Sequence, residues 1–323
     1  MKNILFSKDI YDFFQENNYQ VVNPFNIVNN KDTVFYSAGI QPLLYEYIND
    51  SLPDNENLFI AQPVIRTQYL DSLDEGTSLA FINSTTSRFN LSQKDYDKLV
   101  KDWLEFFYQI GLKKDNITTM NDYYQDNWNN IELAGNRTFY YYNNIEIGDT
   151  TFFTKVSNSK IDSMCDLGFG IERIRWCLNN NSYYNLYSNS NELLPRTRAL
   201  ISAISLLSVC SVVPSNKNSG YRARLFSKKL AEILESKKLS ELELRYLKEC
   251  LAYWKEWQKV NSEIDTSVII NEYERNCNAN IINLLAKEGY KVNKLNINLS
   301  WDDMQKRLYS AGVSRERIKR IIR

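Results

Sequence analysis

The chain contains no histidine. That excludes Ser-His-Asp and Cys-His nucleophilic catalysis and the common histidine metal sites. No apolar run reaches the roughly 18 residues that a membrane span needs, so no membrane partner is expected. Met1-Lys2-Asn3-Ile4 leads directly into polar residues, with no apolar leader core to mark secretion. Excess charge of either sign is absent too, with 39 Lys+Arg against 39 Asp+Glu, so bulk charge gives no pull toward nucleic acid or membrane. The five cysteines, at 165, 177, 210, 250 and 277, show no paired spacing and read as reduced thiols of a cytoplasmic protein. Chemistry is left to carboxylates, Arg, Lys, hydroxyls, thiols or a bound metal. Reactions driven by positioning and charge stabilisation remain open, with phosphoryl or adenylyl transfer foremost.

The most informative stretch that is present is Cys165-Asp166-Leu167-Gly168-Phe169-Gly170-Ile171-Glu172-Arg173-Ile174-Arg175-Trp176. Ile171, Ile174 and Leu178 recur at helical spacing. The segment reads as a strand, a tight glycine turn, and a helix with a cation in its first turn. Such a turn lets a ligand approach backbone, and a helix start beside a guanidinium favours an anion. A dinucleotide fingerprint would need a third glycine where Arg173 stands, and a P-loop would need Gly-Lys-Ser/Thr. A plain strand-to-helix connection with a surface Arg is the alternative.

Periodicity predicts a helix over 5–17, extended chain over 19–27, and a buried strand over 32–37 ending at Ala38-Gly39. Strands follow over 58–66 and 78–82, an antiparallel pair joined by a polar loop. A helix is predicted over 94–110, with Leu99, Trp103, Phe106 and Phe107 in register. Strands follow over 138–142 and 150–155, and residues 160–166 lead into the glycine segment. Beyond residue 190 the pattern turns helical, over 200–213, 222–237, 239–260, 267–287, 301–308 and 314–322. The expected organisation is therefore a mixed sheet domain over 1–190 and a helical domain over 191–323.

The order of four segments resembles the alanyl-tRNA synthetase family of class II aminoacyl-tRNA synthetases. Thr33-Val34-Phe35-Tyr36-Ser37-Ala38-Gly39 is similar to that family's strand ending in Asn-Ala-Gly-Met. Val64-Ile65-Arg66 and its polar loop resemble motif 2. Asp166 to Arg173 resembles motif 3, Asp-Thr-Gly-Met-Gly-Leu-Glu-Arg. Pro214-Ser215-Asn216 with Gly220-Tyr221 is similar to the family's Pro-Ser-Asn-Glu-Gly-Arg-Gly-Tyr. The resemblance implies an α+β fold, an antiparallel sheet flanked by helices followed by an all-helical domain. It implies activation of a small amino acid, alanine by analogy, with ATP and Mg²⁺, and transfer to tRNA.

Residue by residue, the resemblance implies that Arg66 holds the α-phosphate, a task suited to a planar, always charged guanidinium. Arg173 covers the adenine or triphosphate from the other side, with Gly170 beneath, and Phe81 stacks on the adenine. Asp166 pairs with the substrate ammonium beside Gly168. Glu146 and Asp149 become Mg²⁺ or amino-acid ligands, their alternative being a solvated strand face. Asn216, Arg222, Arg224 and Ser310 fall on the tRNA-reading side. Two departures stand out. The paired His and the Glu that follow the motif 2 loop are missing, the Glu position falling at Ile82. Ser310 stands where the family has an Asp, which is expected to cost roughly 1–3 kcal/mol of discrimination per lost contact. Two further basic runs, Lys228-Lys229 and Arg315 to Arg323, read either as phosphate-tracking or as solvated helix faces. With no histidine there is no proofreading site of the family's type. Two rival readings follow: a paralogue passing the activated amino acid to a carrier protein or small-molecule amine, and a non-catalytic protein binding tRNA or a protein.

Overall fold

The computed structural model describes residues 7–29, 34–74, 76–179 and 192–322. It divides into two compact units, Met1–Leu186 with Trp254–Val260, and Tyr187–Tyr253 with Asn261–Arg323. The boundary expected at residue 190 lies outside the described residues.

The first unit is α+β, built on a seven-stranded sheet. Its spatial order is β1 (Gln20–Val22), β2 (Leu58–Ile65), β3 (Ala80–Phe89), β7 (Met164–Gly170), β6 (Ile145–Val156), β5 (Ile131–Tyr142) and β4 (Ile117–Trp128). β1 runs parallel to β2, and all the other neighbours are antiparallel. This is the antiparallel sheet flanked by helices that the sequence led one to expect.

Side chains alternate across the sheet. One face is covered by α1 (Ser7–Glu16) and α3 (Gln93–Gln109). Phe14 stacks on Phe59 with ring centres 3.9 Å apart, and Phe106 lies 5.4 Å from Phe169. α3 starts at a reciprocal cap, Ser92 with Asp95, which satisfies donors the helix leaves open. On the opposite face, one end is apolar. There Leu58, Ile60, Phe89, Phe153 and Met164 pack with Ile40, Leu43 and Leu44 of α2 (Ile40–Ile48). The other end of that face is polar and open.

Several expectations are corrected. No strand forms over 34–37, where Phe35 makes an isolated bridge with Val28; Asp32 and Thr33 lie outside the described residues. The segment runs along β2 as irregular chain, its Tyr36 carbonyl accepting from Ile65 N at 3.1 Å. α2 and β4 were not expected. β4 is exposed along most of its length, so it lacks the apolar alternation that marks a half-buried strand. Its signal lies in the turns: Asn129-Asn130 and Asn143-Asn144 all have positive φ, as two-residue hairpins require. β3 is twice as long as expected because its second half is Asn-Ser-Thr-Thr-Ser, polar residues buried at the sheet centre.

The second unit is helical. α5 (Pro195–Val209) packs on α6 (Asn218–Ile233), and α6 on α8 (Thr266–Lys287). α9 (Trp301–Ser310) packs with α10 (Arg315–Ile322). α7 (Glu241–Gln258) contributes its last turn to the first unit. All six helices expected in this half form. Among the described residues no helix is long and apolar enough to cross a membrane. The five cysteines are buried.

Candidate active site

β7 interleaves two kinds of residue. Cys165, Leu167 and Phe169 are buried on the α1/α3 side, while Asp166, Gly168 and Gly170 take the opposite face. On that face Thr85 of β3 and Asp149 of β6 flank Gly168, and Asn83 lies opposite Gly170. Arg66, Phe81, Asn83, Glu146, Asp149, Gly168, Gly170 and Arg173 line one cleft, with Tyr69 and 76–78 of the loop after β2 at its rim.

The glycines correct the expected turn. Gly168 and Gly170 lie inside β7, neither with positive φ, and α4 (Ile171–Asn179) follows at once. Their contribution is space. A Cβ at Gly168 would stand 3.5 Å from Asn83 Nδ2, 3.7 Å from Asp166 Oδ1 and 3.9 Å from Thr85 Oγ1. One at Gly170 would stand 3.9 Å from Phe81 and 4.0 Å from Arg173. Those are ordinary contacts, so the fold does not demand glycine at either position. What glycine provides is bare backbone on the cleft floor. Gly148 differs: its Cβ would lie 2.2 Å from the Gly168 carbonyl oxygen. Gly39 also has no room, since a Cβ would meet Thr85 Oγ1 at 2.7 Å.

Glu146 and Asp149 share the cleft wall because β6 is irregular. Residues three apart on a regular strand point to opposite faces. Here Tyr141 pairs with Glu146 but Tyr140 with Gly148, which leaves Ile147 as the extra residue of a β-bulge. The bulge returns Asp149 to the face of Glu146.

Two cations reach the cleft from two elements. Arg66 follows the end of β2; its Nε donates to Ser37 O at 2.9 Å, and its guanidinium lies 4.9 Å from the centre of the Phe81 ring. Burial lowers its pKa. Arg173 stands in the first turn of α4, where it donates to Glu146 O at 3.2 Å and forms an ion pair with Glu146 Oε1 at 3.2 Å. Beneath Gly168, Asp166 Oδ1 is fully buried with no hydrogen-bond partner. Burial, then the Asp149 carboxyl, raises the pKa of Asp166 to about 8. Burial also raises Asp149, to about 6, with Arg137 opposing the shift. The arrangement has a cationic and aromatic rim, a backbone floor, and a buried acid that lacks a positive partner.

All of the first unit's candidates therefore gather in or beside one cleft. Two residues were missed. Asn83 Oδ1 accepts from Gly39 N at 2.6 Å and from Thr85 Oγ1 at 3.2 Å, tying the Ala38-Gly39 segment to the floor. The alternation Phe81-x-Asn83-x-Thr85 was the available signal. Glu172 is buried and accepts from Ile82 N. Ile82 itself is fully buried, and its pairing opposite Pro63 puts it on the face away from the cleft, so it cannot stand in for the missing Glu.

In the second unit, Asn216 Oδ1 accepts from Arg224, whose Nε donates to Glu272 Oε1 at 3.1 Å. Arg222 lies 6.0 Å from the Tyr221 ring. Ser310 Oγ donates to Lys306 O at 2.8 Å, within its own helix. The basic runs are partly neutralised, Lys228 by Glu232 at 3.9 Å and Arg317 by Glu288. Arg323 lies outside the described residues.

No family model and no curated protein matches the chain. Among solved structures it is similar to the pyrrolysyl tRNA synthetase PylSc of Desulfitobacterium hafniense, at 11% identity over 58% of this chain and 71% of that one, with a TM-score of 0.40.

Proposed function

We propose that the first unit activates a small amino acid, alanine by analogy, with ATP, and that the aminoacyl group then passes to the 3′ end of a tRNA. The observation that carries this reading is the convergence of Arg66, Phe81 and Arg173 above a bare glycine floor, beside Asp166, whose Oδ1 has no hydrogen-bond partner. In the reaction a carboxylate oxygen of the amino acid attacks the α-phosphorus. A mixed carboxylic–phosphoric anhydride forms, the bond from the α-phosphorus to the bridging oxygen breaks, and pyrophosphate leaves with the electron pair. No protein group needs to accept or supply a proton at the reacting atoms, which suits a chain without histidine. The work left to the protein is orientation and charge stabilisation. Arg66 would bridge α-phosphate oxygens with its planar fork. Phe81 offers a ring to the adenine, and Arg173 would sit over the nucleotide opposite it. Asp166 would take the substrate ammonium, which supplies the missing positive partner, with Asp149 next to it.

For Mg²⁺ the fit is to an ion carried by the phosphates. Among the described residues no three His, Cys, Asp or Glu side chains gather into a metal cage. Magnesium bound with a nucleotide needs only one or two carboxylates. Glu146 and Asp149 provide them, Glu146 while paired with Arg173. When bound, the ion would neutralise charge on the departing pyrophosphate.

ATP–pyrophosphate exchange across the common amino acids tests the reading. Exchange is expected with a small amino acid, and exchange with none removes the proposal. One observation favours a second reading for the acceptor. Asn216 Oδ1 is already occupied by Arg224, and Ser310 is bonded within α9. That suits an acceptor other than tRNA, such as a carrier protein or a small amine. Transfer of a labelled aminoacyl group to total tRNA separates the two, since robust charging excludes the second.

A further inference from the structure

Glu172 precedes Arg173 and faces the other way. It is 2% exposed, and its two carboxyl oxygens accept from the backbone N–H of Ile82 at 3.1 and 3.0 Å. That N–H lacks a strand acceptor for a definite reason. The last pair between β3 and β7 is Asn83 with Gly170. One residue further on, β7 has given way to α4, and the ladder supplies no carbonyl. A buried N–H without an acceptor is costly, and the Glu172 side chain takes the place of the missing strand.

The position matters because of what flanks Ile82. Phe81 and Asn83 both line the cleft. The Phe81 ring carries the Arg66 guanidinium at 4.9 Å, and Asn83 holds the Gly39 N–H at 2.6 Å. We infer that Glu172 is a positioning residue for the nucleotide end of the cleft. It pins β3 at Ile82, so that Phe81 and Arg66 are set against Arg173, which the same helical turn presents. This rests on reading the cleft as an ATP site. Amino-acid binding, placed at Asp166 on the neighbouring strand, depends on it less.

Calorimetric titration of the full chain with MgATP, together with exchange kinetics, tests the inference. Glu172→Ala should weaken MgATP binding about tenfold or more, and should raise the KM for ATP while leaving the KM for the amino acid within about threefold. Glu172→Gln, whose amide oxygen can accept the same N–H, should stay within about threefold of the native chain in both. A residue that merely supports the fold would move both KM values together. Native ATP affinity in E172A, equal rises in both KM values, or an E172Q as weak as E172A would each overturn the inference. If E172A does not fold, Glu172→Asp, which shortens the reach to Ile82, takes its place with the same expected shift. A native chain that binds no ATP removes the ATP reading itself and this inference with it. That outcome is distinct from an ATP-binding chain in which Glu172 proves indifferent.

Discussion

Replacing Asp166 by Asn keeps the shape of the side chain and removes its ionisable group. Asp166 Oδ1 is buried without a partner, and burial first, then Asp149, raises the pKa from 3.8 to about 8. Between those two values the folded chain holds a proton that the unfolded chain has released. The folded state therefore binds more protons, and stability falls as the pH rises from about 4 toward 8. Each pH unit across that interval is worth about 1.4 kcal/mol, which sets a ceiling of about 5–6 kcal/mol. Asp149 shares the proton and water enters the open side of the cleft, so a loss of about 2 kcal/mol is the expected size. The neutral amide of the Asp166→Asn variant would carry no such penalty. D166N should thus match the native chain near pH 5 and exceed it by about 2 kcal/mol at pH 8. Urea denaturation followed by circular dichroism between pH 5 and 8.5 measures the difference. The same variant should lose amino-acid-dependent exchange, because the ammonium loses its charged partner. A stability difference that does not widen with pH would refute the account of a buried, unpaired acid.

Three other perturbations separate fold from function. Gly168→Ala meets only ordinary contacts, so urea denaturation should show stability within about 0.5 kcal/mol of native, while the KM for the amino acid rises about tenfold. Gly148→Ala drives a methyl group into the Gly168 carbonyl and should cost about 3 kcal/mol in the same denaturation assay. Arg66→Lys keeps the charge but loses the planar fork, the bond from Nε to Ser37 and the stacking on Phe81. Its kcat for exchange should fall about a hundredfold, with a melting temperature close to native.

The cleft was legible in the sequence chiefly where charge and glycine coincide. Arg66, Asp166, Gly168, Gly170 and Arg173 could be named because their segments, taken in order, resemble the motifs of a known family; alone, the glycine segment also fits a plain strand-to-helix connection. Their local geometry could not. Gly168-Phe169-Gly170 reads as a turn on propensity, yet tertiary pairing with Asn83 and Thr85 holds it as a strand. The helical half was easier, because apolar spacing repeats over three or more turns in α6 to α8, while α5 is a long run buried almost throughout. β4 carried no such pattern, since most of its residues face solvent and only its Asn-Asn turns betray it. Glu172 was invisible for another reason. Its partner is a backbone N–H ninety positions earlier in the chain, and no local pattern encodes an acceptor lost where a strand becomes a helix.

With Ile147 standing outside the ladder, the acid wall tolerates the loss of that residue but not the gain of a paired one. Ile147 is buried, and another apolar side chain of its size would keep the pairing on either side of it. Deleting it would restore a regular ladder in which Glu146 and Asp149, then two apart, still share one face. A residue inserted between Gly148 and Asp149 and paired into the ladder would instead turn one acid toward α3, dismantling the acid wall without changing either acid. A one-residue insertion at this point in any related chain would therefore mark a different cleft, even with every charged residue retained.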